Sequence, residues 1–224
     1  MTLQINTKNI GLIGHSEGGL IAPMVASKSK DVAFIVLLAG TGIQGDRLLL
    51  LQQKLIGKAS GISEDDLQKS ELTNRQVFDI VNKSSNLEKL NLDLTNYIKQ
   101  TLKDNPNAGK PAGMSDDEFV NLRVKQIANP WMQYFIKYNP APTLEKVKCP
   151  VLAINGEKDL QVPPKENLEA IKSALSKGGN KKVTTKVLSN LNHLFQECKT
   201  GSPDEYASIE QTFSPMALSE ILKW

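Results

Sequence analysis

The chain has 224 residues, 40% of them hydrophobic, enough for one large domain or a core carrying an insertion. Lysine and arginine number 27 against 24 aspartates and glutamates, and the net charge of +3 is too near balance to point to nucleic acid or an anionic membrane surface. No apolar run approaches the roughly 20 residues that span a bilayer, so no membrane association is expected. The start, Met1 to Asn6, lacks the basic and apolar stretches of a signal peptide. Taken at face value the location is cytoplasmic, or periplasmic or secreted if the chain derives from a longer precursor.

In chain order, residues 1–8 are polar and short, and Ile10 to Ile13 reads as a strand buried on both faces, apolar without alternation. The run stops at Gly14, where Gly14-His15-Ser16-Glu17-Gly18 fits G-x-S-x-G. In that motif a strand turns into a helix so tightly that the serine is held in a strained conformation, and the flanking glycines leave room for the chain to pass itself. Gly18 to about Lys28 follows as a helix, and Asp31 to Ala39 is the strongest strand in the chain. Together they make a βαβ unit, which closes right-handed.

From Asp46 to about Tyr138 the pattern is helical, with no convincing strand. Leu48 to Ile56 carries an apolar stripe. Ser63-Glu64-Asp65-Asp66 caps a helix bearing Leu67, Leu72, Val77, Ile80 and Val81 at near-helical spacing, and Leu87 to Leu102 continues the pattern. Asn105 to Gly113 is a Pro/Gly/Asn break, and Ser115 to Glu118 is a second capping box before Phe119, Leu122, Val124 and Ile127. Pro130 to Phe135 is the most aromatic patch. Strand character returns at Val151 to Ile154, ends in the polar turn Asn155 to Asp159, and gives way to a helix opened by Pro163-Pro164 and closed by Gly178-Gly179. Val183 to Leu188 is the last strand, Asn190 to His193 the loop after it, and Ser202-Pro203 and Ser214-Pro215 introduce two closing helices. The resulting organisation is an α/β core in two parts, residues 1–44 and 141–224, interrupted by a helical block at 45–140.

A hydroxyl nucleophile needs a base to take its proton and a carboxylate to orient that base. Ser16 is the nucleophile candidate, at a helix N-terminus that favours developing negative charge. The chain has two histidines. His15 sits inside the elbow and is expected to point elsewhere, which leaves His193, in the loop after the last strand, as the base candidate. Asp159, just beyond the strand Val151 to Ile154, is the orienting-acid candidate. Glu157 is its rival and Asp46 a weaker one. The backbone N–H of Glu17 is one expected oxyanion donor, and its side chain suits the helix dipole. Trp131, Tyr134 and Phe135 are candidates to line an acyl pocket, with packing between helices as the competing use. Cys149 and Cys198 have no C-x-x-C spacing and should stand near opposite ends of a parallel sheet, so two unpaired thiols and no metal site are expected.

The segments Gly14 to Gly19, Asn155 to Asp159 and Asn192-His193 together resemble the α/β-hydrolase superfamily, nearest to bacterial esterases and acyl hydrolases related to the serine aminopeptidase and dienelactone-hydrolase branches. The resemblance implies Ser16 as nucleophile, Asp159 as acid, His193 as base, the 45–140 block as the variable cap, ester or acyl compounds as substrates, and no metal or organic cofactor. The family's elbow follows the fifth of about eight strands, whereas here it follows the first. The chain therefore looks like the C-terminal half of such an enzyme: a partial α/β-hydrolase fold with a mostly parallel sheet of about four strands flanked by helices. The early strands and the loop carrying a second oxyanion donor have no counterpart in it. Residues 10–13 then form a raw strand edge that a second copy or a partner chain is expected to cover. Two readings stand beside the esterase: a peptidase or thioesterase, and a truncated hydrolase that is weakly active or inactive without a partner chain.

Overall fold

Four short segments form the strands of one sheet: β1 (Gly11–His15), β2 (Phe34–Leu38), β3 (Val151–Gly156) and β4 (Val183–Leu188). The computed structural model describes residues 6, 9–105 and 109–224. Most of the polar N-terminal segment and part of the Pro/Gly/Asn break, at residues 106–108, thus lie outside the described residues. The strands lie in the order β1-β2-β3-β4, every pair parallel, with Ile13 opposite Val36, Val36 opposite Leu152 and Leu152 opposite Thr184.

The chain divides into two compact units, Met1–Glu64 with Asn139–Trp224, and Asp65–Tyr138. In the first, side-chain alternation along β2 and β3 builds two cores. Ile35, Leu37, Val151 and Ala153 pack with Ala22, Leu168, Ile171 and Leu175 on one face. Val36, Leu38, Leu152 and Ile154 pack with Leu188, Leu191, Phe195 and Ala217 on the other. Each fully buried aliphatic side chain contributes about 1.5–3 kcal/mol, so burial on both faces accounts for the unbroken apolar runs of these strands. Helices α1 (Gly18–Ala26) and α8 (Pro164–Lys177) supply the first face, α8 opening with Pro164 in its first turn and closing before Gly179, whose φ is +82°. Helix α9 (Pro215–Lys223) supplies Ala217 to the second. The segment at Ser202-Pro203 forms a 3-10 turn, Pro203–Ser208, rather than an α-helix. Among the described residues β1 has no strand on its outer side, and Ile13 is 61% exposed.

Helix α2 (Gly45–Ala59) belongs to this sheet-bearing unit, although its stripe read as the start of the helical block. Leu48 is buried, and Gln52 donates to the side chain of Gln161 at 3.5 Å.

The second unit holds most of α3 (Glu64–Lys83) together with α4 (Leu87–Asp104), α5 (Asp116–Ile127) and α6 (Pro130–Lys137). Asn86 caps α4 by accepting from the Lys89 N–H, and Leu90, Leu94, Ile98 and Leu102 form its buried row. Ser115 and Glu118 form the expected capping box of α5, and Asn129 caps α6 ahead of Pro130. On α3 the buried residues are Leu67, Val77, Phe78 and Val81, whereas Leu72 is exposed. It falls outside the i, i+3, i+4 rows that start at Leu67. A short helix, α7 (Ala141–Leu144), leads back into the sheet-bearing unit. Among the described residues no helix is long and apolar enough to cross a membrane.

Candidate active site

The site is built on the C-terminal ends of β1, β3 and β4. At the end of β1 the chain reverses at Ser16, whose φ of +55° lies in the left-handed region. That conformation costs an L-residue about 1–2 kcal/mol. Two backbone bonds hold the turn: Ser16 N–H donates to Leu38 C=O at 2.9 Å and Gly19 N–H to Ser16 C=O at 2.8 Å. A Cβ on Gly14 would lie 2.0 Å from the Gly18 carbonyl oxygen, and one on Gly19 would lie 2.5 Å from the Gly40 Cα, so these two glycines are sterically required. Gly18 is not: a Cβ there meets nothing within 4 Å, so the motif's last glycine needs no spare room for itself. Glu17 is the N-cap residue of α1 and makes no side-chain cap bond there.

Beyond β3 the chain turns through 157–162 around a buried carboxylate. Asp159, 2% exposed, accepts the backbone N–H groups of Gln161 and Val162 on Oδ1, at 2.9 and 2.8 Å. Its Oδ2 faces His193 Nδ1 at 2.9 Å and the Asn155 amide at 3.4 Å. Asn155 is itself tied to the Val162 carbonyl at 2.9 Å. Glu157 has a different environment: it is exposed, and its carboxylate accepts the Asn190 N–H at 3.0 Å. Asp46 lies in the first turn of α2, where its carboxylate accepts the Arg47 N–H at 2.6 Å. Gln161 also donates to the Tyr206 hydroxyl at 2.8 Å; burial pushes the Tyr206 pKa up to about 12, so it remains a phenol.

The loop after β4 carries His193, which is 4% exposed. The buried Asn192 side chain organises it, accepting the N–H groups of Leu194 and Gln196, both at 2.9 Å, and donating to Gln196 Oε1 at 2.9 Å. Asn190 and Phe195 take left-handed φ values of +61° and +59°, and an antiparallel bridge joins Leu191 to Glu197. Close packing ties the loop to the Asp159 turn. A Cβ on Gly156 would meet the Leu191 carbonyl oxygen at 2.2 Å, and Lys158 Nζ donates to the carbonyls of Cys198 and Lys199 at 3.1 and 3.0 Å.

His193 and Asp159 are thus brought together, the Nδ1–H of the imidazole donating to the carboxylate. That bond leaves Nε2 as the ring atom able to accept a proton. Ser16 is half-buried, and among the described residues no hydrogen bond joins its hydroxyl to His193. The contact missed from sequence is His15. Its Nε2 lies 2.8 Å from the His193 carbonyl oxygen, with ring centroids 4.8 Å apart. Desolvation by burial lowers the His15 pKa below 6.5; the bond to the His193 carbonyl opposes that shift and the proximity of His193 adds to it. A cavity of about 530 Å³ opens beside it, walled by His15, Leu38, Leu194, Ile209 and Phe213.

In the helical unit, Trp131 and Tyr134 are exposed, Phe135 is half-buried, and Ile136 is the core residue of α6. Trp131 stacks on Phe135, and Tyr134 on Tyr138. Both cysteines are free thiols, their pKa values pushed up by burial. Among the described residues no group of three His, Cys, Asp or Glu side chains is placed to hold a metal ion.

The model of the alpha/beta hydrolase fold matches residues 3–200. The chain belongs to that family. Among solved structures it is similar to the acylaminoacyl peptidase of Pyrococcus horikoshii, with 12% identity, 84% of this chain and 20% of that one covered, and a TM-score of 0.38. The Pyrococcus furiosus esterase Pf2001 shows 16% identity over 81% of this chain and 44% of that one, with a TM-score of 0.37. MGS-M2, an alpha/beta hydrolase enzyme from a Medee basin deep-sea metagenome library, shows 14% identity over 97% and 64%, with a TM-score of 0.43. The chain thus spans from a fifth to less than two thirds of the length of these proteins. No curated protein matches it.

Proposed function

We propose that the chain is a serine hydrolase of carboxylic esters or related acyl compounds. The observation that carries this reading is the buried Asp159–His193 pair, beside an elbow whose serine holds a left-handed φ. Ser16 Oγ attacks the acyl carbonyl while His193 Nε2 takes its proton. Asp159 holds the imidazole in the required tautomer and stabilises the imidazolium that forms. The Glu17 N–H, at the N-terminal end of α1, donates to the developing oxyanion. Protonated His193 passes its proton to the leaving group, and the neutral imidazole then activates the water that releases the acyl group. These steps use side chains, backbone and water, with no metal or organic cofactor. Peptides and thioesters present the same acyl chemistry, and the pocket decides among leaving groups.

A second reading gives the chain the same residues but turnover only with a second copy or a partner chain over the β1 edge. The exposure of Ile10 and Ile13 at that edge favours it. Hydrolysis of p-nitrophenyl esters of increasing acyl length, with wild type and Ser16→Ala at several protein concentrations, tests both. The first reading expects turnover proportional to concentration and lost in the variant. Specific activity that rises with concentration supports the second, and equal rates in wild type and Ser16→Ala would overturn both.

A further inference from the structure

We propose that His15 is a positioning residue that sets His193, the base, through the carbonyl of His193 itself. This rests on the hydrolase reading, and it adds a role for the second histidine of the chain.

The geometry is specific. His15 ends β1, and its backbone is fixed in register opposite Leu38. From that anchor its Nε2–H donates to the His193 carbonyl at 2.8 Å, which defines the neutral His15 tautomer as Nε2–H. His193 is 4% exposed, and among the described residues its carbonyl accepts no backbone N–H. Loss of His15 would therefore remove the donor to a part-buried carbonyl on the residue that must be placed most accurately. The rings also touch, tilted by 45° at 4.8 Å, and Phe195 stands edge-on to His15 at 6.2 Å.

The other bonds of the base loop leave this job to be done. Asn192 closes the loop on Leu194 and Gln196, and Asp159 holds the imidazole at Nδ1. Neither bonds the His193 peptide carbonyl. His15 supplies that third constraint and comes from the strand that leads into Ser16. The serine and the backbone of its base are in this way referenced to the same rigid element, β1. A charged His15 would oppose formation of the His193 imidazolium at 4.8 Å, so the neutral form is the useful one. The charged groups that act on His15 are His193 and Asp159, and Glu210 lines the same cavity.

Two variants separate positioning from packing. His15→Phe keeps a ring but removes the donor; His15→Gln keeps a donor near the Nε2 position. The expected result for His15→Phe is a loss in kcat of about 10–100-fold, the scale of a misplaced catalytic group, with KM changed by less than about twofold. His15→Gln is expected to stay within about threefold of wild type. With two histidines in the chain, ring ¹⁵N–¹H spectra give a readout independent of turnover. Wild type should show one ring as Nε2–H, absent in both variants, and one as Nδ1–H bonded to a carboxylate, weakened in His15→Phe and retained in His15→Gln. Thermal melts confirm that the compared proteins are folded. Wild-type kcat together with an unchanged Nδ1–H signal in His15→Phe would overturn the proposal. Equal impairment of both variants would do the same, because ring packing or volume would then be the cause. If wild type itself lacks turnover and resists acylation, the hydrolase reading fails, and the spectra still decide whether His15 sets the His193 ring.

Discussion

Replacing Asp159 by Asn tests the pair at the centre of the site with the smallest change in shape. Asp159 makes four contacts: two backbone N–H groups on Oδ1, and His193 Nδ1 and the Asn155 amide on Oδ2. An asparagine keeps the Oδ1 pair. Its NH2 then occupies the Oδ2 position, facing two groups that are themselves donors. His193 can answer only by changing tautomer, so that Nδ1 accepts and Nε2 carries the proton. A base protonated at Nε2 cannot take the Ser16 hydroxyl proton. In a triad this error costs about 10⁴ in kcat, equivalent to about 5.5 kcal/mol of transition-state stabilisation. KM should change little, because the residue is 2% exposed and stands behind His193. Steady-state ester hydrolysis gives kcat and KM, and circular dichroism checks the fold. A folded Asp159→Asn protein with kcat within about tenfold of wild type would refute the assignment of Asp159 as the orienting acid.

Other outcomes follow from the same geometry. Glu157→Gln keeps an acceptor for the Asn190 N–H and should retain near-wild-type kcat; a loss comparable to that of Asp159→Asn would show that the rival carboxylate is the acid. Gly14→Ala drives a Cβ to 2.0 Å from a backbone oxygen, an overpacking that costs about 1–3 kcal/mol or more, whereas Gly18→Ala meets nothing and should leave the thermal midpoint unchanged or raised. Equal midpoints for these two variants would contradict the steric reading of the elbow. Because partial desolvation keeps the His15 pKa below 6.5, the unfolded chain binds the proton first, and stability should fall as pH drops below 6.5 until the folded-state pKa is passed. Denaturant titrations across that range should show a shallower decline in His15→Gln; parallel curves would contradict it. Ser115→Ala removes the α5 cap and should cost about 1 kcal/mol in chemical denaturation, with no change if the cap is idle.

Much of the site is legible in the residues because its parts follow simple orders. The apolar runs at 34–38 and 151–156 are buried on both faces and read as central strands, and each is followed by a polar turn. Asp159 and His193 could be singled out because each sits in the loop after a strand, in the order acid then base. The capping box at Ser115 and the helical pattern over Leu87 to Leu102 follow from local rules. What stayed hidden depends on distance in space. The stripe of α2 shows that the helix packs, but not that it packs with the sheet-bearing unit. Asn155, Asn192 and Gln161 look like ordinary turn formers, yet each braces Asp159 or the His193 loop. His15 was expected to point elsewhere because it sits inside the elbow, next to Ser16. Its long side chain nonetheless reaches the backbone of His193. Gly18 belongs to the motif by sequence, but the clash that matters is between a Gly14 side chain and the Gly18 carbonyl.

The most direct test of an activated serine at the elbow is reaction with a fluorophosphonate, followed by intact-mass measurement and peptide mapping. The expected result is a single adduct on Ser16 in the wild type, none in Ser16→Ala, and labelling slowed by about 10³-fold or more in His193→Ala. No adduct at Ser16 under conditions that label a known serine hydrolase, or labelling of Ser16 at the same rate without His193, would contradict the proposed mechanism.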